Sequence, residues 1–74
     1  MYQVPKYYRV EFYVKKNRSE YHKCIDIPAK STMEAKVIAT DLWYMTHSEH
    51  MFRTTVRLIK DNEEIINNYF VTIE

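Results

Sequence analysis

Glycine is absent from this 74-residue chain, cysteine occurs once and proline twice. Each shortage excludes something. Loops that cradle phosphates rely on glycines to bring backbone close to the ligand, so the phosphate-binding and dinucleotide motifs have no place here. A single cysteine makes no internal disulfide, and the expected compartment is reducing, the cytoplasm. Apolar runs are short: Leu42-Trp43-Tyr44-Met45 is the longest, far below the roughly 20 residues of a membrane span. No apolar core of a secretory signal stands near the amino terminus, so neither leader nor membrane association is expected. Charge of one sign is lacking too, since 11 Lys and Arg against 10 Asp and Glu leave +1. A main task of gripping duplex phosphate calls for a basic excess, and mimicry of DNA for an acidic one. Neither is present.

What remains is apolar enough to fold: 46% hydrophobic and 28% charged, with seven tyrosines. That balance is not the composition of a disordered chain, and the length suits one small domain. From Tyr7 to Lys16, apolar Tyr8, Val10, Phe12 and Val14 alternate with Tyr7, Arg9, Glu11, Tyr13 and Lys15, the pattern of a strand with one dry face and one wet face. A polar break follows, in which Asn17 is the residue best suited to a positive-φ turn. Glu20 to Ile27 reads as a second strand, with Tyr21, Ile25 and Ile27 on one face and His22, Cys24 and Asp26 on the other. Pro28 marks its expected end.

The period then changes. Ser31-Thr32-Met33-Glu34 has the form of a capping box. Ala35, Ile38, Ala39, Leu42 and Met45 follow at helical spacing, an apolar stripe on about four turns. Phe52 to Ile59 alternates again, with Phe52, Thr54, Val56 and Leu58 as the inward set. Lys60 to Glu63 reads as a turn in which Asn62 plays the part of Asn17. Glu64 to Ile73 closes the pattern, with Ile65, Tyr69, Val71 and Ile73 taken as inward and Ile66 and Phe70 as outward. The expected fold class is α+β: β-β-α-β-β, two hairpins joined by a helix that covers one face of a four-stranded antiparallel sheet. Val10, Phe12, Ile25, Ile38, Leu42, Val56 and Leu58 are its expected core. Two open sheet edges offer a route to a homodimer.

Three groups of residues carry candidate chemistry. His47 and His50, with Asp41 or Glu49 nearby, suggest metal ligands, but zinc needs three convergent protein ligands. A polar helix end is the plainer reading, and no metal or cofactor is expected. His22, Cys24 and Asp26 share one strand row, the residue types of a nucleophilic triad. Neighbours along such a row stand roughly 6.5–7 Å apart, beyond a thiol–imidazole hydrogen bond. No glycine turn supplies an oxyanion hole, so no enzyme is expected.

The third group is the sheet face away from the helix. Tyr7, Arg9, Glu11, Tyr13 and Lys15 are expected there, joined by Arg53, Thr55 and Arg57, and by Asn68, Phe70 and Thr72. Tyr and Arg are enriched in protein-binding hot spots, and both stack on unpaired bases. A merely solvated face with cross-strand charge pairs is the plain alternative. Tyr7, Arg9, Tyr13, Lys15, Arg53 and Arg57 are therefore the candidate binding residues, for a protein partner first and nucleic acid second. Trp43 and Tyr44 on the helix form a lesser candidate.

In its size, lack of glycine, Tyr- and Lys-rich composition and bare β-β-α-β-β plan, the chain is similar in style to small accessory proteins of bacteriophages and other mobile elements. That resemblance implies a stand-alone binder that inhibits or redirects a host protein, including components of host defence.

Overall fold

The computed structural model describes residues 6–66 and 70–73. Their element order is β1 (Lys6–Lys16), β2 (Ser19–Ala29), α1 (Thr32–Thr46), β3 (Met51–Leu58) and β4 (Val71–Ile73). All strand pairs are antiparallel, in the order β3-β1-β2-β4. The fold is α+β, as the alternating and helical periods imply.

β1 and β2 form a continuous hairpin from Lys6↔Ala29 to Lys16↔Ser19, closed through Asn17 at φ 58°. In a chain without glycine, asparagine tolerates that left-handed conformation best. Ser31 caps α1 by accepting the Glu34 amide at 3.1 Å. β2 runs past Pro28 to Ala29 because of strand parity. The Asp26 N–H donates to the Ile66 carbonyl on the side away from β1, and Pro28 stands two residues on. Its missing N–H therefore faces the same outer side, beyond the reach of β4, which pairs only with residues 22–24 of β2.

The second hairpin is absent. β3 pairs with β1 and β4 with β2, so the two lie at opposite edges of the sheet. The chain does turn at Lys60–Glu63, where the Glu63 N–H donates to the Lys60 carbonyl at 3.1 Å, but Asn62 lacks the positive φ of Asn17 and the turn joins no hairpin. The expected strand from Glu64 shrinks to Val71–Ile73. Its face is also reversed: Phe70 packs inward against Phe12 and Trp43, at ring centroids of 5.6 and 5.1 Å, while Val71 pairs with Cys24 and so shares the opposite face. Ile65 is exposed. Asn68 and Tyr69 lie outside the described residues.

The helix is rotated from the expected stripe. Ala35, Ala39 and Trp43 are fully buried, Ile38 and Leu42 are only partly covered, and Met45 is exposed. Two alanines let the helix axis approach the sheet, and the single indole fills the space beyond them. Trp43 meets Phe12 edge-on at 5.3 Å, and its Nε1 donates to the Glu49 carbonyl at 2.8 Å, which satisfies the polar handle that a buried indole carries. Val10, Phe12 and Ile25 are core as expected; Val56 is partly covered, and Leu58, on the free edge, is exposed.

Candidate functional site

Residues 60–66, which follow β3, cross the helix-free face and divide the candidate surface in two. In register, Arg57, Arg9 and Asp26 form one row across β3, β1 and β2. Arg9 donates to both Asp26 oxygens at 2.9 and 3.0 Å and to the Glu64 carbonyl at 2.7 Å. Glu63 sits above the row, accepting from Arg57 through both of its oxygens at 2.7 Å and lying 3.4 Å from Arg9 Nη1. The Ile66 N–H donates to Asp26 Oδ2, and the Asp26 N–H returns the bond to the Ile66 carbonyl. Residues 60–66 thus form a strap pinned to the sheet by charge-assisted hydrogen bonds.

Burial follows from that strap. The Asp26 side chain is fully covered, and Arg9 keeps 15% of its exposure. Two arginines hold the Glu63 carboxyl down at about 2, chiefly through the Arg57 hydrogen bond. Arg9 is held more firmly protonated by Asp26. Burial pushes the Cys24 thiol up, away from the thiolate a nucleophile needs. Asp26, with its oxygens taken by Arg9 and Ile66, orients an arginine rather than His22. The row of His22, Cys24 and Asp26 is real in register but is not a triad in its contacts.

The other half of the face is open and aromatic. Tyr13 stacks on His22, with centroids 4.9 Å apart and planes 6° from parallel. The Arg53 guanidinium lies 5.1 Å from the Tyr13 centroid, a cation–π distance. Phe52 leans on Tyr13 at 6.5 Å and is 56% exposed. The Tyr13 hydroxyl donates to Glu11 Oε2 at 3.0 Å, which raises its own pKa. His22 Nδ1 stands 3.9 Å from the same carboxylate oxygen and has no hydrogen-bond partner among the described residues. Register holds Arg53, Tyr13 and His22 in one row across β3, β1 and β2, so these three are positioned by backbone rather than by loop.

Of the candidate residues, the structure therefore brings Tyr13 and Arg53 together at the open end. It places Arg9 and Arg57 under or beside the strap. Lys15 is exposed near the hairpin turn, opposite Glu20, and Tyr7 is half-buried at the far end, opposite Pro28.

Two members of the open group escape a reading by alternation. Phe52 belongs to the expected inward set, but register shifts between Tyr13 and Val14: Arg53 pairs with Tyr13 and Met51 with Val14. The extra residue is Phe52, and Met51 takes the inward place against the core. Only the doubled apolar pair Met51-Phe52 hints at this bulge. His22 was visible only as a partner for Cys24.

At the helix end, His47 stacks on Trp43 at 3.9 Å, its Nε2 faces Lys23 Nζ at 3.3 Å and its Nδ1 meets Thr46 Oγ1 at 2.8 Å. His50 packs on Tyr44 instead. The two histidines are thus drawn to different neighbours, and no cluster of three metal-ligating side chains occurs among the described residues. No helix among them is long and apolar enough to cross a membrane.

No family model matches the chain, and no curated protein or solved structure matches it significantly.

Proposed function

We propose that this protein is a non-enzymatic binding module whose working surface is the open half of the outer sheet face: Tyr13, Arg53, Phe52 and His22. The observation that carries this reading is the pre-stacked group itself. A flat aromatic stack with a guanidinium on it and an exposed phenyl ring beside it has the composition of an interface hot spot. Its rotamers are already ordered by mutual contact, so little side-chain entropy is lost on docking.

The partner proposed is a protein. Commitment of Arg9 and Arg57 to carboxylates supports this over nucleic acid, because it removes two of the four cations that would have met phosphates. The finer reading is that the chain inhibits or redirects a host protein in the cytoplasm, as phage-encoded accessory proteins do. It rests on resemblance in style and on a buried free thiol suited to a reducing compartment.

The test is capture from host lysate on immobilised wild-type protein, with Tyr13→Ala and Arg53→Ala proteins as parallel baits. A partner retained by the wild type and lost from both folded variants supports the reading. Equal retention on all three baits moves the working surface elsewhere. Binding to single-stranded nucleic acid that falls steeply with salt would favour the second partner class.

A further inference from the structure

We propose that β3 is a self-pairing edge: it joins β3 of a second copy in antiparallel register about a two-fold axis at Val56, making one continuous eight-stranded sheet. The inference does not rest on the proposed binding surface.

Parity comes first. The Ile59 N–H donates to the Tyr7 carbonyl at 2.9 Å, and register pairs Arg9 with Arg57 and Glu11 with Thr55. In an antiparallel ladder, residues alternate between bonding one neighbour and facing the other. The odd residues of β3 therefore bond β1, and the N–H and C=O of Thr54, Val56 and Leu58 point out from the sheet. Among the described residues β3 is the terminal strand of the sheet, so there those three residues present an unpaired ladder. Natural edges are usually blunted by proline, by an inward charge or by a short strand. From Arg53 to Leu58 this one has no proline, and its two charges lie on the outer face with Thr55.

Self-complementarity selects the register. Only even residues can bond across such a seam, which leaves four registers centred within Thr54–Arg57, and centring on Arg57 sets that charge against its own copy. Centring on Thr55 sets Arg53 opposite Arg57 of the second copy, a like-charge pair that is disfavoured. Centring on Thr54 sets Val56 against Phe52, the bulged residue, where the ladder is distorted. Centring on Val56 avoids all three. Thr54 then pairs with Leu58 of the second copy, Val56 with Val56, and Leu58 with Thr54, giving six backbone hydrogen bonds. Arg57 faces a threonine and Arg53 faces an isoleucine. Arg57 also reaches the seam with its charge already met by Glu63 at 2.7 Å. On the helix side the seam covers Leu58, 47% exposed in the monomer, and the partly covered Val56.

Such a seam is small and belongs to the transient class of interfaces, below roughly 1,200 Å². Sedimentation equilibrium of the full chain, up to about 1 mM, should show the weight-average mass rise from 9.1 kDa toward twice that value. Thr54→Pro removes an outward N–H that bonds nothing among the described residues, so it should leave the circular dichroism spectrum in place and abolish the rise. A wild type that stays monomeric throughout overturns the proposal, as does a folded Thr54→Pro protein that still dimerises. Should the variant not fold, amide exchange in the wild type decides. Protection at Thr54, Val56 and Leu58 must grow with protein concentration, while Thr55 and Arg57 stay protected throughout; an unchanging pattern at the even residues overturns it.

Discussion

The two halves of the outer sheet face start from the same kind of sequence and end in opposite states. Each sets an arginine of β3 opposite a residue of β1, Arg57 opposite Arg9 and Arg53 opposite Tyr13, with a carboxylate in reach. At one end, Asp26 and Glu63 draw Arg9 and Arg57 into a covered network that pins residues 60–66. At the other, Glu11 is engaged by the Tyr13 hydroxyl and stands near His22, which leaves Arg53 to lie on an aromatic ring in the open. The difference is the strap. An arginine beside a buried carboxylate becomes part of the fold, and an arginine on an exposed aromatic remains available to a partner. Residue type alone does not separate the two roles; the path of the chain overhead does.

The sharpest way to break the comparison is to remove the buried acid. Asp26→Ala strips Arg9 of its bidentate partner beneath the strap, leaving it only Glu63 and the Glu64 carbonyl, and should cost about 3 kcal/mol in urea unfolding. A domain of this length has roughly 0.05–0.15 kcal/mol per residue to lose, so that cost is a large share of its whole stability and the unfolding midpoint should fall steeply. Asp26→Asn, which keeps one acceptor oxygen, should lose less. An Asp26→Ala protein with the wild-type midpoint would show that the strap is not held by this pair.

At the open end the expected effect is on binding rather than folding. Arg53→Ala and Tyr13→Ala should each weaken partner affinity tenfold or more, about 1.4 kcal/mol. The same changes should move the unfolding midpoint little, as cross-strand pairs contribute roughly 0.2–1 kcal/mol. Isothermal titration beside urea unfolding separates these two costs. If both variants lose stability without losing affinity, the open half is structural as well, and the contrast collapses.

Arg57 sharpens the boundary between the halves, since its side chain is 48% exposed although it pairs with Glu63. Arg57→Ala should cost under about 1 kcal/mol, the range of exposed ion pairs. Its effect should fall with added salt, whereas that of Asp26→Ala should not.

Acid offers a graded version of the same test. Glu63 has its carboxyl lowered from 4.5 to about 2, so it is a stronger acid folded than unfolded. Its contribution is complete above pH 4.5 and is lost as pH falls from 4.5 toward 2. The stability difference between wild type and Glu63→Gln should be constant above that window and vanish across it. The smallest expected effect is at Cys24, a buried thiol with no hydrogen bond among the described residues: Cys24→Ser should leave partner binding unchanged.

Local features of the chain were determined by the sequence alone. Strict alternation from Tyr8 to Val14 specifies which face of β1 is dry, because a period of two has a single solution. Asn17 and Ser31 specify a turn and a helix start through backbone chemistry confined to a few residues. The same locality explains the misplacements. Whether Lys60–Glu63 closes a hairpin or begins a crossing depends on where β4 pairs, and the alternation of residues 64–73 is silent on that. The helix stripe was legible as a stripe, but which third of it faces inward was set by how closely Ala35 and Ala39 let the helix approach and by Phe12 and Phe70 enclosing Trp43. At the site, Tyr13 and Arg53 could be placed on one face from the pattern. The burial of Arg9 on that face and the outward turn of Phe52 could not. One follows from a carboxylate distant in sequence, Glu63, that arrives only when the strap crosses. The other follows from a single bulged residue that reverses the parity of a strand end. Periodicity decides which side of an element is apolar; long-range packing decides what covers the other side.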